Sequence, residues 1–202
     1  EIFIANSSRV QEALRVIEEF TRLTDPNLSD LATRIRYKTY EIESKIIEAK
    51  ENIGKKQILK DCFIYLITNN QQNLKHILLQ SIKAGVRVVQ YRDKVLNDNE
   101  KVNQAKELAD ICKKNKTLFI VNDRIDIALA VDADGIHLGQ EDMPTKIARQ
   151  IIGSEKIIGR STHCLKDIKN AEEEGCDYIG LGPLFPSKTK KKLNSIGIDY
   201  LK

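Results

Sequence analysis

The stretch DADGIHLG (132–139) leaves a helical pattern on an aspartate, meets a glycine and runs into a short apolar strand. AGVRVVQ (84–90) and EGCDYIGLG (174–182) repeat that phrase. Further apolar runs lie at CFIYLIT (62–68), VRVVQYR (86–92), TLFIVND (117–123), KIIGRST (156–162) and CDYIGLG (176–182). Helical stretches such as Asn73 to Ala84 and Asn99 to Lys114 separate them. Strands alternating with helices predict a parallel sheet covered by helices. A doubly wound sheet would favour a glycine-rich phosphate loop after its first strand. Ile67-Thr68-Asn69-Asn70 stands there instead, with no glycine. The fold class is therefore read as α/β, a TIM (β/α)8-type barrel with only about six β/α units present. The chain opens on Glu1 and ends at GIDYLK, where a sixth helix should begin. It is expected to be a C-terminally truncated piece of a longer reading frame, with open edges on strands 1 and 6.

Upstream of the barrel the period is helical. Ser8 and Gln11 have capping-box spacing, and Val10, Ala13, Leu14, Ile17 and Phe20 form one apolar stripe. Asp25-Pro26 starts a second helix, whose stripe is Leu28, Leu31, Ala32, Ile35, Ile42 and Ile46. The predicted organisation is a helical hairpin over 1–50, a linker over 51–57 and the incomplete barrel over 58–202. Two helices bury little surface alone, so the hairpin is expected to lean on the barrel or on a partner subunit, as in a homo-oligomer.

Composition narrows the function. Net charge is +4, too mild for nucleic acid but compatible with small phosphorylated ligands. No apolar run approaches the roughly 20 residues that span a bilayer, so no membrane role is expected. The four cysteines, Cys62, Cys112, Cys164 and Cys176, have no zinc-type spacing and read as free thiols of a cytoplasmic protein.

Sites in such barrels form at the carboxyl ends of strands. Strand 2 ends in Gln90, Tyr91, Arg92, Asp93 and Lys94. Alternation places Gln90, Arg92 and Lys94 on one face with Val86 and Val88, so two cations and an amide point at the barrel mouth. A solvated turn is the competing reading. Strand 3 ends in Asn122-Asp123, and strand 4 leads to Asp142. Two carboxylates at neighbouring strand ends suit a hard cation such as Mg2+. Each could equally cap a following helix. His137 points inward between Gly135 and Gly139, as a hydrogen-bonded or a catalytic residue. Ser161 shares the inward face with Gly159. Ser187, Lys188, Thr189 and Lys190 interleave hydroxyls with cations, a phosphate-binding pattern or a basic loop.

Five segments, QYRDK (90–94), VNDR (121–124), DGIHLGQEDMP (134–144), GRSTH (159–163) and GLGPLFPSKTKK (180–191), together resemble the signature of the thiamine-phosphate synthase family. The resemblance implies a transferase (EC 2.5.1.3) coupling a pyrimidine diphosphate to a thiazole phosphate. Arg92, Lys94, Lys190 and Ser161 would carry the catalytic contacts. Gln90, Tyr91, Asp93 and Asn122 would complete the pyrimidine diphosphate site. Ser187, Lys188 and Thr189 would take the thiazole phosphate, and Asp123 and Asp142 would bind Mg2+. Arg160 departs from the family, which usually has a small apolar residue there. It is expected to face outward with little effect on chemistry. The family's last two strands are absent, so the thiazole phosphate site is expected to be incomplete and the 202 residues alone inactive or poorly folded. The segment ANSSRVQEALRVIEEFTRL (5–23) resembles the helical domain fused ahead of the synthase in cyanobacterial and some other bacterial enzymes, a domain linked to pyrimidine-phosphate kinase activity. The stretch is short for the whole of that domain, so an interaction or structural role is expected first.

Three rivals remain at this level. A thiazole tautomerase would not need the Arg92, Lys94, Asn122, Asp123 and Asp142 set. A sugar-phosphate epimerase would need a paired acid and base, which the sequence does not offer. An inactive ligand-binding relative fits the missing barrel end.

Overall fold

The computed structural model describes residues 2–185 and 195–198. The chain divides into two compact units, residues 1–53 and 54–202.

The first unit is a helical hairpin. Helix α1 spans Ile2–Thr21, and α2 spans Pro26–Lys60. Asp25 caps α2, its Oδ1 accepting from Leu28 N at 3.1 Å, with Pro26 in the first turn. Residues 51–57, read as a linker, are helical. A single glycine, Gly54, costs a helix only about 1 kcal/mol, and its neighbours Ile53, Lys55 and Lys56 all tolerate helical backbone. Ser8 does not cap α1. It lies inside the helix and its hydroxyl donates to Ile4 O at 3.0 Å. The helices meet through polar groups. Ser7 Oγ and Gln11 Nε2 donate to Glu43 Oε2 (2.8 and 2.5 Å), and Arg36 pairs with Glu18 at 2.8 Å. Much of both predicted apolar stripes stays exposed, Phe20 by 82%.

The second unit holds six parallel strands: β1 (Tyr65–Ile67), β2 (Val88–Tyr91), β3 (Leu118–Asn122), β4 (Gly135–Leu138), β5 (Ile157–Thr162) and β6 (Tyr178–Leu181). Spatial order equals sequence order. Between them run α3 (Leu74–Lys83), α4 (Asp98–Lys114), α5 (Ile125–Ala130), α6 (Thr145–Ile152) and α7 (Leu165–Glu173). Among the described residues, β1 pairs only with β2 and β6 only with β5, as the sequence predicts.

Alternation sorts each strand into two layers. Outward residues Val89, Tyr91, Phe119, Val121, Ile136, Leu138 and Ile158 pack against helix residues such as Leu78, Leu108 and Ile127. Full burial of each such side chain stabilises the fold by roughly 1.5–3 kcal/mol. Inward residues Val88, Leu118, Ile120 and Ile157 form a smaller cluster. The end of α2 supplies Ile58 and Leu59 to it, at the amino ends of the strands.

The recurrent aspartate before a strand has a physical reason. Asp134 Oδ2 accepts from Phe119 N (3.0 Å), and Asp177 Oδ2 accepts from Ile158 N (2.9 Å). Each ties its own strand to the preceding one. Lys55 pairs with Asp134 at 3.2 Å, while Lys56 (2.9 Å) and Arg149 (2.6 Å) pair with Asp177. Burial pushes the Asp177 carboxyl up, but the Ile158 N–H and the two cations more than offset it and hold it below its usual value. Asp177→Asn is expected to cost about 2–4 kcal/mol at neutral pH. The contribution of a depressed carboxyl is present above its unfolded pKa and lost as pH falls through the folded one. The difference between variant and wild type should therefore shrink in urea melts taken below about pH 3.

Candidate active site

The carboxyl ends of β2, β3, β4 and β5 gather most of the described residues singled out by the sequence. Thr68 N donates to Gln90 O (2.9 Å), and Thr68 Oγ1 accepts from Arg92 N (3.0 Å). The segment after β2 is thereby anchored to the end of β1. Gln90 is 2% exposed and points inward, where its Nε2 donates to Tyr65 Oη at 3.0 Å. Lys94 Nζ approaches Asp123 Oδ2 at 3.9 Å. The Arg92 charge also acts on Asp123.

Tyr91 goes elsewhere. Its side chain belongs to the outer layer, stacked near Phe119 with ring centroids 6.3 Å apart, and its hydroxyl donates to Gln104 Oε1. Adjacent strand residues face opposite sides, so the inward position of Gln90 forces this. Asp93 turns back on its own loop, where Oδ1 accepts from Val95 N and Leu96 N.

Asp123 follows β3 in a left-handed conformation, φ 61°. Asp and Asn tolerate this region better than other side chains, and its cost is commonly found at functional positions. Asp123 N donates to His137 O (2.9 Å), which seats it beside β4. Asp142 sits in the loop after β4, its Oδ2 accepting from Gly139 N at 2.5 Å. Neither aspartate is an N-cap: α5 is capped at Arg124 and α6 at Pro144. The capping alternative is thereby removed. Burial, then the neighbouring Asp142, push the Asp123 carboxyl up to about 6, against the pull of Lys94 and Arg92. Two carboxylates held this close suit a hard divalent cation, which would relieve their repulsion. Among the described residues no cluster of three or more potential ligands exists, so waters or ligand oxygens would complete such a site.

Ser161 faces inward on β5, and its Oγ lies 3.0 Å from His137 Nε2. His137 Nδ1 lies 3.0 Å from Tyr178 Oη, which is 2.6 Å from Tyr65 Oη. A continuous chain, Gln90–Tyr65–Tyr178–His137–Ser161, thus crosses the barrel interior. Burial raises both phenols, so they stay protonated donors. Gly159 makes room for it: a β-carbon there would lie 2.1 Å from the Tyr178 ring. Sequence patterns alone do not single out the two tyrosines. Their inward register, shared with Val88 and Gly159, is the available signal. Asn122 ends β3 opposite His137. Ser187, Lys188, Thr189 and Lys190 lie outside the described residues.

A sequentially ordered parallel α/β sheet with charged side chains collected at its carboxyl ends is the architecture of barrel enzymes. Residues 64–202 match the family model described as thiamine monophosphate synthase, and the chain belongs to that family. Residues 1–45 match the model of the ThiD2 family. Thiamine-phosphate synthase from Prochlorococcus marinus strain SARG is 51% identical over 200 residues, covering 99% of this chain and 58% of that protein. The enzyme of the same name from strain MIT 9313 is 50% identical over 206 residues, again 58% of its length. The chain thus spans a little over half the length of these curated relatives. Among solved structures, thiamine phosphate pyrophosphorylase from Pyrococcus furiosus superposes with a TM-score of 0.61 at 34% identity, covering 68% of this chain and 66% of that one. Among the described residues, no helix is long and apolar enough to cross a membrane.

Proposed function

We propose that the whole protein couples 4-amino-2-methyl-5-(diphosphooxymethyl)pyrimidine to a thiazole phosphate, releasing thiamine phosphate and pyrophosphate. The observation that carries this reading is the gathering at neighbouring strand ends of Asp123 beside Asp142, with Lys94 3.9 Å from Asp123 and the Arg92 charge acting on the same carboxyl. Asp123 and Asp142 would hold Mg2+, which would neutralise charge gathering on the departing pyrophosphate. Arg92, Lys94 and Lys190 bind the diphosphate and stabilise the same charge as the C–O bond breaks. Gln90, Asn122 and Ser161 orient the pyrimidine, with Gln90 and Ser161 held by the buried tyrosine–histidine chain. Ser187, Lys188 and Thr189 bind the thiazole phosphate, whose ring nitrogen attacks the freed carbon. No protein nucleophile is needed.

The full-length protein given both substrates is expected to release pyrophosphate only when a divalent cation is present. Chelation should stop release, and added Mg2+ should restore it. Release that is indifferent to chelation would remove the metal assignment. No release under any condition would remove the reaction itself.

A further inference from the structure

Arg160, expected from alternation to be an outward residue without chemical consequence, does face the helix layer. It is register-paired with Leu138 on β4, but it is only 8% exposed. A buried guanidinium is costly unless its donors find partners. Among the described residues Arg160 makes no salt bridge. Its Nη1 donates to Met143 O at 2.8 Å, and its Nη2 points to Gln140 O at 3.3 Å. Both acceptors belong to the short loop 139–143 and flank Asp142. The same loop is tied to β5 from the other side, because Gln140 Nε2 donates to Ser161 O. Within the loop, Gly139 N donates to Asp142 Oδ2.

We propose that Arg160 is a positioning residue. By bracketing Asp142 through the two carbonyls, it fixes that carboxylate opposite Asp123 for cation binding. A small apolar side chain at this position could not reach either carbonyl. The guanidinium fork suits the task because two diverging N–H donors can reach two acceptors at once. The inference rests on the metal assignment proposed above and adds a residue that touches neither metal nor substrate.

The test is Mn2+ binding to the full-length protein in the presence of inorganic pyrophosphate, with free Mn2+ counted by electron paramagnetic resonance. Arg160→Leu is expected to weaken Mn2+ binding by roughly ten- to a hundredfold, as loss of an outer partner of a metal ligand commonly does. Arg160→Lys, which keeps the charge but lacks the fork, should fall between. Amide exchange over Gly139–Met143 should quicken in Arg160→Leu while β3 stays protected. If Arg160→Leu fails to fold, Arg160→Met replaces it, since its long apolar stem fills the same slot. Wild-type Mn2+ affinity in the folded apolar variant, with binding lost in Asp142→Asn, overturns the role of Arg160 and leaves the metal site standing. Unchanged affinity in both Asp142→Asn and Asp123→Asn removes the metal site instead.

Discussion

In Asp123→Asn, divalent-cation-dependent release of pyrophosphate by the full-length protein is expected to fall by at least about a hundredfold, with no loss of stability. Asparagine is the informative substitution, because it keeps the left-handed backbone at φ 61° that alanine would strain. The stability half follows from linkage. Burial and Asp142 raise the folded carboxyl to about 6, so the ionised form works against the fold at pH values above that. The penalty fades as pH falls through about 6 and is gone below the unfolded value. Removing the charge should therefore leave the metal-free unfolding free energy unchanged or raise it, by no more than about 1 kcal/mol for a partly exposed group. Activity and metal-free stability are thus expected to move independently. A variant that loses both together would mean Asp123 is a structural residue.

Gly135→Ala should act in the opposite way, through the fold alone. A β-carbon at Gly135 would lie 2.2 Å from Ile157 O. That oxygen is backbone of the adjacent strand, register-paired with Gly135 itself, so no side chain can swing aside. β4 and β5 would have to part. The expected cost is about 3–5 kcal/mol, at the upper end for a single substitution. Gly54→Ala is the internal control: it lies within α2, and nothing stands within 4 Å of its added carbon. It should be neutral or stabilising by up to about 1 kcal/mol. Urea melts followed by circular dichroism separate the two. A Gly135→Ala protein as stable as wild type would contradict the strand spacing between β4 and β5.

What the sequence disclosed and what it concealed follow from the range of the interactions involved. Strand identity and the inward direction of Gln90, His137 and Ser161 were legible, because each depends on alternation within a few residues. The nearness of Asp123 to Asp142 was legible because both follow the ends of sequence-adjacent strands. The place of Tyr91 in the outer layer follows from that rule too, once Gln90 is fixed inward. The helical state of residues 51–57 was hidden by Gly54, whose local penalty flanking residues outweigh. Three contacts were beyond any local reading. Arg160 reaches the β4–α6 loop, Tyr65 reaches Tyr178 across the interior, and Lys56 reaches Asp177. Each joins residues on different elements, and only the folded sheet brings them together. The capping question was of the same kind, since it turned on which residue the backbone selected at the start of α5 and α6.

The strand order carries a consequence for how the molecule is made. Every strand after β1 pairs with the one synthesised just before it, as Val88 with Tyr65, Leu118 with Val88, and Tyr178 with Gly159. Each closure spans only a few tens of residues, so its entropic toll is modest and nearly uniform. A nascent chain can therefore add one β/α unit at a time, with a finished edge always waiting to template the next. The aspartates that bridge neighbouring strands, Asp134 to Phe119 and Asp177 to Ile158, would lock two of these additions, β4 onto β3 and β6 onto β5, as they leave the ribosome.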